Sequence, residues 1–203
     1  MKKDMHVHSK YSSDCEMSVK DILVTAKKAG LDGVAITDHN TIQGGLEGLR
    51  LSKDYDIEVT VGTEISTNFG EVIGYHLTRE VESREFEDVV DEIKRQGGVI
   101  SIPHPFDFLR LDSIDSKKIL MKYRDNIDYI EINARTLPIF NEKARKFALQ
   151  EGFPLIGGSN AHYPWEIGRC HTIWDEGTTV VGNGSLKSLY PVLRTQLYKT
   201  LRI

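Results

Sequence analysis

The chain has 203 residues, 39% of them hydrophobic and 28% charged, and a formal charge of -4 with its seven histidines counted neutral. That is enough chain for one domain with a real core and too little for two, and the composition excludes disordered, collagen-like and polyelectrolyte classes. The acidic balance argues against a basic face for duplex nucleic acid. No apolar run is long enough to span a membrane, and the lack of a secretory core after Met1-Lys2-Lys3-Asp4 makes the cytoplasm the expected location.

Short β-like runs alternate with stretches of helical spacing. The first strand is expected over Asp4 to Val7. A helix follows, with Val19, Ile22, Leu23 and Ala26 on one face, Ser18 and Asp21 as a capping box and Gly30 as its stop. Strands are expected next over Gly33 to Thr37, Glu58 to Val61 and Glu71 to Tyr75, the last two close enough across Thr67-Asn68-Phe69-Gly70 to form a hairpin. Ser83 to Gln96 reads as a helix burying Phe86, Val89, Val90 and Ile93. Strands over Val99 to Pro103 and Ile127 to Ile132, a helix over Ile139 to Glu151 and a strand over Pro154 to Gly157 complete the series. Leu186, Leu189, Leu193, Leu197 and Leu201 then form an apolar stripe, so 177–203 is expected to be a C-terminal extension packed on the domain, with a kink at Pro191. Strands interleaved with helices imply mostly parallel pairing, hence an α/β fold: one domain over 1–203, an irregular seven-stranded (β/α) barrel.

Six of the seven expected strands finish at or just before a potential metal ligand: His6 and His8, Asp38-His39, Glu64, His76, His104, and Asn160 with His162. The remaining strand ends in Glu131 and Asn133. In barrels of parallel strands the carboxyl ends converge on one face, so residues remote in sequence meet there. On a strand, His6 and His8 point to the same side while Val7 enters the opposite layer. Imidazole and carboxylate groups suit Zn, Mn and Fe, with Mg also allowed, and so many of them converging without a metal would carry a heavy desolvation cost. No G-x-S-x-G or P-loop competes for the chemistry. Cys15 and Cys170 are too few for a disulfide framework and are expected to be reduced.

His6-Val7-His8-Ser9 with Tyr11-Ser12-Ser13-Asp14, Ile36-Thr37-Asp38-His39-Asn40-Thr41, Gly62-Thr63-Glu64, Gly74-Tyr75-His76, Ile102-Pro103-His104-Pro105, Glu131-Ile132-Asn133-Ala134-Arg135 and Gly157-Gly158-Ser159-Asn160-Ala161-His162 follow one another in order. This series resembles the successive motifs of the PHP (polymerase and histidinol phosphatase) family, of the stand-alone phosphoesterase type, from about residue 4 to 172. The resemblance implies a distorted seven-stranded barrel with two to three divalent ions that hydrolyses phosphoesters. Carried over by position, it implies one metal on His6, His8, Glu64 and Asn160, a second on Asp14, His39 and His162, and a third on Glu64, His76 and His104, with Glu64 bridging. Asn160 stands where the family usually has Asp. An amide oxygen can ligate but brings no charge, so the first metal should be weaker or more selective. Asp38 and Glu131 are expected behind the ligands, orienting imidazoles.

Metals roughly 3.5 to 4 Å apart can share a hydroxide and stabilise the leaving oxygen of an in-line displacement, which makes a metal-bound hydroxide held by Glu64 and its neighbours the expected nucleophile. Arg135, then Arg169 and Lys10, are the candidate phosphate contacts, and His171 is the candidate proton donor to the leaving group. No inserted domain separates His104 from Glu131, so the expected partner is a small phosphorylated substrate. Tyr11, Phe106, Phe108, Tyr163 and Trp165 beside the motifs give a nucleotide modest preference. Two alternatives stay open: an amidohydrolase-type hydrolase, although no strand end supplies the lysine such a site would need, and a non-catalytic metal-binding regulatory module.

Overall fold

The computed structural model describes residues 1–175 and 177–182. In chain order the elements are β1 (Lys2–Val7), α1 (Val19–Lys28), β2 (Gly33–Ile36), α2 (Gln43–Tyr55), β3 (Glu58–Thr67), β4 (Gly70–Tyr75), α3 (Phe86–Arg95), β5 (Val99–Ile102), α4 (Lys117–Lys122), β6 (Tyr129–Asn133), α5 (Pro138–Glu151), β7 (Leu155–Gly158), β8 (His171–Trp174) and β9 (Thr178–Val181). They form one sheet in the order β7-β6-β5-β4-β3-β2-β1-β8-β9. Beyond β7 the chain returns to β1: Val7 and Ala161 form a parallel bridge, and the His8 amide donates to the Ala161 carbonyl at 2.9 Å. The sheet is thus a nearly closed barrel.

Nine strands stand where seven are expected. Of the two additional ones, β8 runs antiparallel to β1 and β9 antiparallel to β8. They are four residues each and β9 is mostly exposed, so neither leaves a clear apolar alternation in the sequence. The expected C-terminal extension begins one residue before β9 and so includes that strand, and its leucine stripe at 186–201 lies outside the described residues.

The pairs β1–β2, β2–β3, β5–β6 and β6–β7 are parallel, whereas β4 is antiparallel to both β3 and β5. The hairpin at Thr67–Gly70 reverses the chain, so the beginning of β4 lies at the end of the barrel where the parallel strands finish. Inside the barrel, Met5, Ala35, Ile73, Tyr75 and Ile156 pack into an apolar floor, and the Tyr75 hydroxyl donates to the Met5 carbonyl at 3.0 Å. The register of β1 with β2 slips between Asp4 and Val7, around Met5 and His6, where the lining changes from apolar to imidazole.

The helices follow the expected logic. Ser18 Oγ accepts the Asp21 amide at 3.1 Å, and Val19, Ile22, Leu23 and Ala26 are buried against Val34, Ile36 and Val59. Phe86, Val89, Val90 and Ile93 form the buried face of α3, which packs with Ile100, Ile102 and Ile130. Helix α2 has no counterpart in the expected series. Its glycines Gly44, Gly45 and Gly48 are poor helix formers but are buried on one face, where the helix lies almost on the backbone of β2 and β3: a Cβ at Gly45 would stand 3.0 Å from Val61 Cα, and one at Gly48 2.8 Å from Ile36 Cδ1. No helix of the described residues is long and apolar enough to cross a membrane.

Candidate metal centre

Glu64, 1% exposed on β3, is the hub of the site. Its Oε2 lies 3.4 Å from His6 Nε2, 3.3 Å from His8 Nε2 and 3.3 Å from His39 Nδ1, while its Oε1 lies 3.0 Å from His104 Nε2. His6 and His8 bracket the last residue of β1, and their Nε2 atoms face each other at 3.0 Å. On the outer side, Asp14 Oδ2 stands 3.2 Å from His162 Nε2 and 3.6 Å from His39 Nε2. Three sets, His6–His8–Glu64, His8–His39–His162 and His39–Glu64–Glu71, each bring their ligand atoms within 4.8 Å of one another.

Glu71 was not among the expected ligands. It is buried in β4, with Oε1 3.6 Å from His39 Nδ1 and Oε2 3.5 Å from His104 Nε2. His76, the expected partner of Glu64 and His104, is not in the cluster. It is exposed, in the left-handed region at φ 60°, just past the opposite end of β4. The cause is strand direction: convergence at carboxyl ends holds for parallel strands, and β4 is antiparallel, so its first turn of residues faces the site and its last faces away. The hairpin legible at Thr67–Gly70 carried the signal that could have pointed to Glu71.

The buried polar atoms fit divalent ions. Asp14 Oδ1, His104 Nδ1 and Asn160 Oδ1 are buried with no hydrogen-bond partner among the described residues, and ligand-type oxygens and nitrogens are otherwise rarely left so. Asn160 is 2% exposed and left-handed at φ 55°, and its carbonyl accepts from His162 Nδ1 at 3.0 Å, which leaves His162 Nε2 for Asp14. Burial and the neighbouring charges set the protonation of the cluster, keeping His8 and His162 neutral and His6 protonated. Burial opposes it, but Glu131 and Glu64 hold the His6 imidazolium up to about 10. Burial, with His162 and His39 nearby, keeps His8 neutral, well below the ordinary histidine range. Burial and Arg135 bring His162 down to about 4. Against burial, His162 and His39 hold Asp14 well below the usual carboxylate range, and His6 does the same for Glu64.

Behind the ligands, Glu131 Oε1 is 2.7 Å from His6 Nδ1 and its Oε2 accepts the His104 amide at 2.8 Å, so one carboxylate orients two ligand positions. Asp38 takes a different place from the one expected. Its carboxylate accepts from Ser9 N and Oγ and from Ser12 Oγ, at 2.6 to 2.9 Å, and reaches the His8 imidazole only through Ser12.

Of the candidate phosphate contacts, Arg135 is buried beside the cluster, with Nη1 3.5 Å from the Asn160 carbonyl and Nε 3.9 Å from Glu166. Lys10 is exposed and paired with Glu47 at 3.0 Å, and Arg169 is exposed on the turn before β8. The His171 ring is turned to the Gly168 carbonyl at 2.9 Å, with Lys2 as the charged group acting on it, so it does not join the ligand cluster. Cys15 and Cys170 are buried free thiols.

The PHP domain model matches residues 4–136, and a PHP-associated model matches 138–193. The chain belongs to the PHP domain family. Two uncharacterized proteins of Methanocaldococcus jannaschii are similar to it, one 42% identical over 117 residues (52% of this chain, 68% of the relative), the other 34% identical over 185 residues (87% and 71%). Among solved structures, a two-domain protein of Bacteroides vulgatus containing a predicted PHP-like metal-dependent phosphoesterase superposes with a TM-score of 0.73 at 19% identity. The match covers 95% of this chain but only 62% of that one. An amidohydrolase of Chromobacterium violaceum superposes with a TM-score of 0.69 at 14% identity, covering 94% of this PHP chain and 96% of its own. At these identities the structures speak for a shared fold.

Proposed function

We propose that this PHP protein is a metal-dependent phosphoesterase that hydrolyses a small phosphate ester. The observation that carries the reading is the convergence of five imidazoles and the carboxylates of Asp14, Glu64 and Glu71 at one end of the barrel. Two to three divalent ions, held by His6, His8, Glu64 and Asn160, by Asp14, His39 and His162, and by Glu64, Glu71 and His104, would supply Lewis acidity to the phosphoryl oxygens and a water of lowered pKa.

The chain's own residues set the approach. His6, His8 and His104 side chains are fully buried, whereas His39 is 13% and Asp14 7% exposed, so substrate enters from the Asp14–His39–His162 side. Arg135 flanks that side and presents a guanidinium suited to the phosphate oxygens that face away from the ligands. After His162, the Tyr163 and Trp165 rings stack at 4.7 Å and 5°, and Trp165 is 65% exposed. That flat, accessible surface supports a nucleotide-like leaving group. Acid–base chemistry by a thiol has no support, because burial pushes Cys15 up to about 12.

The test is a panel of phosphomonoesters, phosphodiesters, nucleotides and N-acyl amides assayed with Mn, Zn or Mg. Phosphoester cleavage lost in Glu64→Ala and retained in Cys15→Ala is expected. Amide cleavage without phosphoester cleavage would replace this reading with the amidohydrolase one, and metal binding without turnover of any class would replace it with a regulatory module.

A further inference from the structure

Ser12 is 2% exposed and carries no expected role, yet its Oγ touches three groups: Asp38 Oδ1 at 2.9 Å, the His39 amide nitrogen at 3.0 Å and His8 Nδ1 at 3.0 Å. A hydroxyl has one proton and two lone pairs. The Asp38 carboxylate already accepts the Ser9 amide at 2.6 Å and the Ser9 hydroxyl at 2.7 Å, and as a carboxylate it can only accept. The Ser12 proton therefore goes to Asp38. The His39 amide can only donate, which uses one lone pair of Ser12 Oγ. The lone pair left over can only accept, so the proton in the contact to His8 must sit on His8 Nδ1.

We propose that Ser12 is a positioning residue that locks His8 in the Nδ1–H tautomer and so turns the Nε2 lone pair toward Glu64, 3.3 Å away. The same oxygen ties the His39 backbone to the loop after β1, so two ligand positions from different strands share one anchor. The opposite face of this network is closed by α2: a Cβ at Gly44 would overlap Asp38 Oδ2 and Ser9 Oγ. Closed in this way, the carboxylate keeps the hydroxyls as its partners and Ser12 keeps its orientation. Partners of this kind around a metal-binding imidazole are typically worth about 10- to 100-fold in affinity.

The test has two arms on the full chain. In the first, 15N ring shifts of His8 are read in the metal-free wild type, in Ser12→Ala and in Ser12→Thr. A single Nδ1–H tautomer is expected in the wild type, a mixture in Ser12→Ala, and the wild-type signature again in Ser12→Thr, which keeps the hydroxyl. In the second, Zn affinity is measured by competition with a chromophoric chelator, with a roughly 10- to 100-fold loss expected in Ser12→Ala and recovery in Ser12→Thr. The affinity arm rests on the metal-dependent reading of the site, whereas the tautomer arm is read without metal and stands if that reading fails. A wild-type His8 that carries its proton on Nε2 overturns the proposal, even if Ser12→Ala does not fold. So does a Ser12→Ala protein with unchanged tautomer and unchanged affinity.

Discussion

Glu71 Oε2 lies 3.5 Å from His104 Nε2, although Glu71 stands at the beginning of its strand and His104 just beyond the end of its own. The two meet because β4 runs against β5. Glu71→Ala should therefore lower divalent-metal content per chain and cut phosphoester turnover by more than about 100-fold, beyond the loss usual for residues that only orient a ligand. His76→Ala should leave both within about twofold, since His76 is an exposed residue at the other end of β4. Elemental analysis and steady-state rates on the two variants separate them, and the reverse pattern would restore His76 as a ligand.

The apolar, tightly seated face of α2 gives a second prediction. Gly44→Ala places a methyl group where Asp38 Oδ2 and Ser9 Oγ now stand. Overpacking of this kind costs about 1 to 3 kcal/mol, so the variant should melt several degrees lower and bind metal more weakly than the wild type. Gly97→Ala is the control for position: nothing lies within 4 Å of its Cβ, so it changes stability through its φ of 72° alone and should leave metal affinity unchanged. Equal metal affinity in Gly44→Ala and the wild type would show that α2 does not brace the site.

Proton linkage supplies a third. Glu131 and Glu64 hold the His6 imidazolium up to about 10 against burial, so at pH 7.5 the metal-free protein carries a proton on His6 that a metal ligand must give up. The sign follows: the folded pKa is raised, so the proton is present below about 10 and metal uptake at neutral pH releases it. Calorimetric titration in two buffers of different ionisation enthalpy should report release of about one proton with the first ion at pH 7.5. Uptake without proton release would contradict the assignment of His6.

The two thiols should be silent. Burial pushes Cys15 up to about 12 and Cys170 higher still, which leaves about one Cys15 thiol in ten thousand as thiolate at pH 8. Native protein should react negligibly with a disulfide reagent over minutes, and denatured protein should titrate both thiols. Rapid labelling of Cys15 in the native state would reopen nucleophilic chemistry.

Much of this was legible in the residues. His6 and His8 at period two, Asp14 downstream and the strand-end His39, Glu64, His104 and His162 were readable because parallel strands and the period of a strand fix their direction. Convergence at every carboxyl end brings His76 to the site and gives Glu71 no part in it, whereas the hairpin places Glu71 beside His104 and His76 at the far end of β4. Helix α2 was hidden by Gly44, Gly45 and Gly48, whose low propensity is overridden by packing that only glycine permits. Asp38 sits behind hydroxyls instead of an imidazole, a distinction that depends on side-chain distances of an ångström or two.

Metal stoichiometry tests most directly whether the barrel end holds divalent ions for phosphoester hydrolysis. Purified chain loaded with Mn or Zn, desalted and analysed for metal should carry at least two ions, with fewer in Glu64→Ala. A wild-type chain that retains none after loading would contradict the account.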